Sequence, residues 1–159
     1  MSRIAIISDI HGNIPALDAV LKDIKSRNIN RTFCLGHRVY LSTAIEERMK
    51  LFMPTKTLNE EADVVGYGDI HGAHIDNFNG KTIFNVGSVG NPLEITQASY
   101  AIIEGKYKSK EKSPLSISLV RVPYNIEQAV RDAMESDMPD KQEYINELRT
   151  AVYRGRKKK

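Results

Sequence analysis

Residues 3–13 constrain the fold of this chain more than any other stretch. They begin with an apolar run, Ile4-Ala5-Ile6-Ile7, whose β-branched composition favours a strand buried on both faces. The run breaks into Ser8-Asp9-Ile10-His11-Gly12-Asn13, and a helical pattern begins directly afterwards. In an α/β sheet, such a break marks the carboxyl end of a strand, where ligand sites form. The stretch therefore predicts a strand, a loop that is a candidate site, and a helix.

Two side chains of this loop suit metal chemistry. Asp9 and His11 supply a carboxylate and an imidazole two residues apart, and both can reach one metal ion. Gly12 adds no side chain that would crowd the ion, and Asn13 is a favourable N-cap for the next helix. In the alternative interpretation, Asp9 caps the turn and His11 lies on the surface, because an isolated Asp-x-His pattern has low specificity.

The same pattern returns later in the chain. Gly68-Asp69-Ile70-His71-Gly72 repeats the Asp-Ile-His-Gly core directly after a second β-branched run, Val64–Tyr67. Two strand ends that carry the same side chains can face each other, so the repeat favours the metal-site interpretation. We expect Asp9, His11 and His71 to converge on one site, because a first-row ion needs several oxygen and nitrogen ligands.

A third motif is the loop Asn85-Val86-Gly87-Ser88-Val89-Gly90-Asn91-Pro92. Taken in order, the three motifs resemble those of calcineurin-like metallophosphoesterases of the small bacterial or archaeal phosphodiesterase type. The resemblance covers residues 1–34 and about 46–105. It implies a four-layer α-β-β-α sandwich and hydrolysis of a phosphodiester or phosphomonoester by metal-bound hydroxide. It also implies that Asn85 and Ser88 position the backbone around the metal site.

The chain departs from the family pattern in its centre. The second apolar run, residues 32–36, leads into His37 where the family has Gly-Asp, and the family's Gly-Asn-His motif does not occur. The late Gly-His-x-His motif reads Gly68-Asp69-Ile70-His71, so its first histidine is lost. The absence of several dozen central residues accounts for these differences and predicts a truncated first sheet.

These departures leave three further candidate residues. His37 is either the histidine of a later family motif or a substitute for the metal-bridging aspartate, which makes it a candidate ligand and catalytic residue. Asp69 either binds the metal where a histidine is lost or caps the turn. His74 is either structural or a substitute ligand. Because the bridging carboxylate and the Gly-Asn-His acid are missing, the sequence predicts phosphodiester turnover at background level.

Two functions of different class remain open. In the first, the chain is a metal-dependent phosphoesterase that acts on a small phosphorylated substrate. Divalent manganese is the expected ion, and iron, nickel or zinc are alternatives with the same ligand preferences. In the second, it is an inactive scaffold or interaction protein that keeps the fold and at most one metal. A truncated sheet would expose strand edges, so a homo-oligomer is also expected.

Composition narrows the class of protein. The 159 residues, with 41% hydrophobic and 27% charged side chains, fit one globular domain over residues 1–153. Residues 125–153 are expected to form C-terminal helices of this domain, and residues 154–159 form a basic tail. The net charge of +3 is too small for a dedicated nucleic-acid surface. No apolar run approaches the ~20 residues of a membrane span, and no signal peptide is visible. The single Cys34 is expected to be a packed thiol and fits a reducing cytoplasm.

Periodicity predicts the remaining elements. The first helix has Ile14, Leu17, Val20, Leu21 and Ile24 on one stripe, and Asn79-Gly80 predicts the turn of a hairpin. The predicted helices span residues 14–26, 42–53, 125–138 and 141–152, with a short helical turn at 57–62, and the predicted strands span 32–36, 63–67, 74–76, 81–86, 99–104 and 115–122.

Overall fold

The computed structural model describes residues 1–35, 50–54, 61–109 and 111–155. In chain order, its elements are β1 (Ser2–Ser8), α1 (Ile14–Ser26), β2 (Thr32–Leu35), a 3-10 helix (Lys50–Phe52), β3 (Val64–Tyr67), β4 (His74–Phe78), β5 (Lys81–Asn85), β6 (Ala98–Gly105), β7 (Ser116–Val122), α2 (Ile126–Glu135) and α3 (Lys141–Thr150). Most of the predicted helix over 42–53 and of the predicted turn over 57–62 lies outside the described residues. None of the helices in the described ranges is long and apolar enough to cross a membrane.

The first sheet, sheet A, has the strand order β2-β1-β6-β7. β1 runs parallel to β2 and antiparallel to β6, so it lies inside the sheet. Its apolar residues Ala5, Ile6 and Ile7 are at most 9% exposed, which confirms the strand buried on both faces. In the described part of the chain, β2 forms the edge of the sheet, and Cys34 is exposed there. The expectation of a packed Cys34 thiol is therefore wrong, because β2 gains no covering neighbour among these residues.

The second sheet, sheet B, has the order β3-β5-β4. β3 is parallel to β5, and β4 pairs with β5 as an antiparallel hairpin. Asn79 and Gly80 both have positive φ, 48° and 72°, at the tip of this hairpin. Two consecutive left-handed residues match the right-handed twist of the flanking strands, which is why Asn-Gly predicts such a turn. The predicted hairpin is confirmed.

Helix α1 begins and ends where the sequence predicts. The Asn13 side chain accepts a hydrogen bond from the Ala16 N–H at 3.1 Å and so caps its first turn. The buried face consists of Ala16, Val20 and Ile24, whereas the predicted stripe members Ile14 and Leu21 are exposed by 56% and 44%. The buried stripe is therefore narrower than predicted, and it includes Ala16, which the predicted stripe did not.

The two sheets stack face to face. Ile6 and Ala101 of sheet A pack against Phe84 of sheet B and against Val86, the residue after β5. Helix α1 covers the opposite face of sheet A, and α2 packs against both α1 and α3. On the outer side of sheet B, Phe52 of the 3-10 helix packs on Tyr67 and Ile83. The α/β fold class with two stacked sheets is confirmed, and the carboxyl ends of β1 and β3 meet at one end of the stack.

Phe84 allows a direct test of this stacking. Its side chain is 2% exposed between the sheets, so Phe84→Ala should lower the free energy of unfolding by about 3–5 kcal/mol. The matched control is Phe33→Ala, because Phe33 is 45% exposed and should change stability by only about 0.5 kcal/mol. Equilibrium unfolding in urea measures both values. Equal effects of the two substitutions would contradict the stacked arrangement.

Candidate metal centre

Three predicted ligands lie together at the meeting point of the two sheets. One ligand atom each from Asp9, His11 and His71 falls within 4.8 Å of the others. The Nε2 atoms of the two histidines are 2.9 Å apart, and His71 Nε2 lies 3.8 Å from Asp9 Oδ1. Asp9 is 4% exposed, while His11 is open to solvent. A carboxylate and two imidazoles at these distances form a candidate metal centre.

The two loops that carry these residues share one backbone conformation. Both the aspartate and the histidine of each Asp-Ile-His motif adopt left-handed φ values: Asp9 54°, His11 49°, Asp69 81° and His71 62°. For residues with a Cβ, this region costs roughly 1–2 kcal/mol each. Strained backbone that recurs in two loops facing each other is typical of a functional site. The sequence repeat is therefore also a structural repeat.

Polar groups hold the Asp9 carboxylate in place. The Ser8 hydroxyl donates to Asp9 Oδ2 at 2.6 Å, and the backbone N–H of Asp69 donates to the same oxygen at 2.8 Å. The other oxygen, Oδ1, is the one that faces His71. Such supporting hydrogen bonds fix the orientation of a ligand before a metal binds.

The loop after β5 holds the backbone of the same residue. The Asp9 carbonyl accepts hydrogen bonds from the Gly90 N–H at 2.9 Å and from the Ser88 hydroxyl at 2.8 Å. The Asn85 side chain donates to the Gly68 carbonyl at 3.0 Å and accepts from the Gly87 N–H at 2.8 Å. Asn85 and Ser88 thus make the backbone-positioning contacts that the resemblance implies.

The remaining candidates occupy different positions. Asp69 is absent from the ligand group found among the described residues, and its backbone N–H donates to Asp9 Oδ2 at the site. His74 has Nδ1 at 3.0 Å from the Gly72 carbonyl and Nε2 at 3.0 Å from the Tyr67 hydroxyl, which supports the structural interpretation. His37 lies outside the described residues.

The donor set fits a first-row divalent ion. One carboxylate oxygen and two imidazole nitrogens suit manganese, iron, nickel or zinc. Two nitrogens 2.9 Å apart can both lie at about 2.1 Å, a normal imidazole–metal distance, from one ion. Three protein ligands leave positions open for water or substrate, which is typical of catalytic rather than structural sites.

The centre opens into a cleft of about 750 Å³. Its wall includes both histidines of the centre together with Ile70, Leu93, Glu94, Met138, Tyr144, Glu147, Tyr153 and Arg154. Sequence reasoning missed the contribution of α3 and the residues after it. One signal was available, because Glu147 lies among Tyr144, Ile145 and Leu148 on the buried face of α3.

Glu147 is a buried carboxylate with a full set of donors. It is 1% exposed and accepts hydrogen bonds from the Asn91 side chain at 2.9 Å, from the Arg154 backbone N–H at 2.9 Å, and from Arg154 Nε and Nη2 at 3.0 Å each. Burial by itself raises the pKa of Glu147, but the hydrogen bonds from Arg154 and Asn91 outweigh it and hold the pKa below its usual value. Arg154, which the sequence assigns to the basic tail, is instead fixed against α3.

Comparisons with known proteins place this geometry in context. No family model matches the sequence. The uncharacterized protein MJ0912 of Methanocaldococcus jannaschii is 43% identical over 81 residues, which cover 49% of this chain and 32% of that protein. The chain therefore matches about a third of the length of this relative.

A solved structure shares the fold of this chain. The hypothetical protein PH1004 of Pyrococcus horikoshii OT3 aligns with a TM-score of 0.61 at 11% identity, over 96% of this chain and 100% of that one. Yfce, a phosphoesterase from E. coli, aligns at a TM-score of 0.44 and 18% identity, over 64% of this chain and 88% of that one. The chain therefore shares the fold of PH1004, and its Asp-x-His loops lie at the ends of β1 and β3.

Gly68 lets the two loops approach each other. A Cβ at this position would overlap the Ser8 hydroxyl and lie 2.8 Å from Asp9 Oδ2. Gly68→Ala should therefore displace Asp9 and weaken Mn²⁺ binding by about 10–100-fold, as loss of support for a ligand does elsewhere. Titration followed by electron paramagnetic resonance measures this affinity. Gly72→Ala in the same motif is the control, because a Cβ there meets nothing within 4 Å and should leave the affinity unchanged.

The buried Glu147 makes stability depend on pH. Its folded pKa lies below the usual 4.5, so its contribution is fully present above about pH 4.5 and is lost as the pH falls through the folded pKa. Glu147→Gln should therefore lose the most stability relative to the parent chain at pH 7, and this loss should become smaller as the pH falls below 4.5. Thermal unfolding across this range tests the expectation. Glu127→Gln, which removes an exposed partner of Arg149, should show little difference at any pH.

Proposed function

We propose that this chain is a metal-dependent phosphoesterase whose centre, formed by Asp9, His11 and His71, holds a single divalent ion. The observation that carries this proposal is the convergence of the three ligand atoms within 4.8 Å at the mouth of a cleft large enough for a small organic phosphoester. Mn²⁺ is the proposed ion. Iron, nickel and zinc are alternatives, because a mixed carboxylate and imidazole set accepts them as well.

A divalent ion at this position would supply Lewis acidity toward a phosphoryl oxygen and would lower the pKa of a water molecule. The chain's own residues provide the geometry. Ser8 and the Asp69 backbone fix one oxygen of Asp9, which leaves the other directed toward His71. The two imidazoles line the cleft together with apolar side chains such as Ile70 and Leu93, which would lie against a bound ester.

Turnover is expected to be slow. General-acid help to the leaving group typically contributes ~10²–10⁴-fold. Both ring nitrogens of His74 are engaged by Gly72 and Tyr67, so this histidine is poorly placed to supply a proton. The sequence predicts background turnover, whereas the three-ligand centre leads us to expect slow Mn²⁺-dependent hydrolysis. His37 is the proposed substitute acid or ligand, and His37→Ala should then abolish that activity.

Paired variants test the centre. Asp9→Asn and His71→Ala should weaken Mn²⁺ binding by more than the roughly 10–100-fold that loss of a supporting residue costs, and should remove Mn²⁺-dependent hydrolysis of an aryl phosphodiester. Asp18→Asn and His74→Ala remove the same functional groups from positions outside the centre and should leave metal affinity intact. Calorimetric titration and a chromogenic assay give the two measurements.

The outcomes separate the two functions left open by the sequence. Mn²⁺ affinity that is unchanged in Asp9→Asn and His71→Ala would overturn the proposed centre. Tight Mn²⁺ binding at these residues without turnover of either diester or monoester substrates would favour the inactive scaffold, which the missing central motifs support.

A further inference from the structure

Arg154 shares the cleft with the metal centre. It follows α3, and its side chain lines the same cavity as His11 and His71. The side chain is 35% exposed, so part of it is accessible to solvent. A fixed cation in a cleft beside candidate metal ligands suits an anionic ligand.

The buried Glu147 fixes the orientation of this guanidinium. Nε and Nη2 of Arg154 donate to the two carboxylate oxygens at 3.0 Å each, and the backbone N–H of Arg154 adds a third bond at 2.9 Å. A two-point contact between a planar guanidinium and a carboxylate sets direction as well as distance. Arg154 is thus pre-organised, and a ligand would not have to order a flexible side chain.

The third nitrogen of the guanidinium is less firmly held. Nη1 donates to Asp140 at 3.3 Å, and the Asp140 side chain is 73% exposed. An exposed ion pair of this kind contributes about 0–1 kcal/mol. A ligand oxygen can therefore replace Asp140 at Nη1 at little cost, while Glu147 keeps the guanidinium in place.

The charges of the cleft define the ligand. Asp69 and Glu94 also line it, and Glu147 offsets the charge of Arg154. These carboxylates would repel an anion unless a divalent ion at the centre and the guanidinium of Arg154 both attract it. We propose that Arg154 is a substrate-binding residue that donates to an anionic oxygen of a phosphoester bound in this cleft. The inference takes its ligand class from the proposed function.

A purely structural ion pair between Arg154 and Glu147 does not explain why the Arg154 side chain also lines the cleft. A buried carboxylate and its partner are often replaceable by apolar groups without loss of stability. The Asn91 side chain and the Arg154 backbone already donate to Glu147, yet the Arg154 side chain also reaches it and remains open to the cleft. This placement is useful when the guanidinium also contacts a ligand.

Chemical protection tests the inference on the unmodified chain. Phenylglyoxal modifies accessible arginines, and mass spectrometry reports each site separately. With Mn²⁺ present and inorganic phosphate at ten times its dissociation constant, modification of Arg154 should slow by about tenfold, in proportion to the unliganded fraction. Arg149 of α3 is the internal control, because it is 49% exposed, pairs with Glu127 of α2, and is absent from the residues that line the cleft.

Variants provide the second measurement. Arg154→Gln and Arg154→Lys should each weaken phosphate binding by about 10–100-fold, which is the effect of losing one charge-assisted hydrogen bond. Lysine keeps the charge but lacks the planar guanidinium, whose nitrogens donate in fixed directions. Mn²⁺ affinity should not fall in either variant. Arg149→Gln should change neither quantity. Thermal unfolding of each variant shows whether it is folded at the temperature of the assay.

The outcomes distinguish this inference from the proposed function. Mn²⁺ binding and turnover with no protection of Arg154, and with unchanged phosphate affinity in Arg154→Lys, would overturn the inference and leave the proposed function intact. Protection of Arg154 without turnover would support the inference and count against the phosphoesterase activity. Neither Mn²⁺ binding nor protection would overturn both.

Discussion

The buried carboxylate of Asp9 is the constraint on which the rest of this structure depends. A carboxyl group that is 4% exposed destabilises a fold unless polar groups compensate for its burial. One of the two described donors to its Oδ2 atom, the Asp69 backbone, lies in the loop that follows β3 of sheet B. The stacking of the sheets and the geometry of the centre therefore depend on the same contact, and Gly68 is needed because a larger residue would separate them.

The C-terminal helix is built into the same arrangement. The loop that binds the Asp9 carbonyl through Ser88 and Gly90 continues to Asn91, whose side chain donates to Glu147 of α3. Glu147 in turn holds Arg154. The wall of the cleft is thus connected to the metal loop by a chain of buried hydrogen bonds, which become stronger in a low-dielectric interior.

Local patterns in the sequence were enough to predict several elements. The buried β1, the capped α1 and the Asn79-Gly80 hairpin follow from contacts between near neighbours in the chain. Patterns on a single element were less informative where burial depends on distant partners. Among the described residues β2 lies at the edge of sheet A and leaves Cys34 exposed, and the buried face of α1 is formed by Ala16, Val20 and Ile24 rather than Ile14.

The sequence by itself determined which residues are chemically able to form the centre, because the repeated Asp-Ile-His-Gly motif places the same side chains after two strands. Only the tertiary structure decided that His11 and His71, 60 positions apart, face each other at 2.9 Å. It also decided that Asp69 supports Asp9 through its backbone and that Arg154 lies in the cleft rather than in a solvated tail. These features depend on the packing of distant elements, which short-range periodicity does not specify.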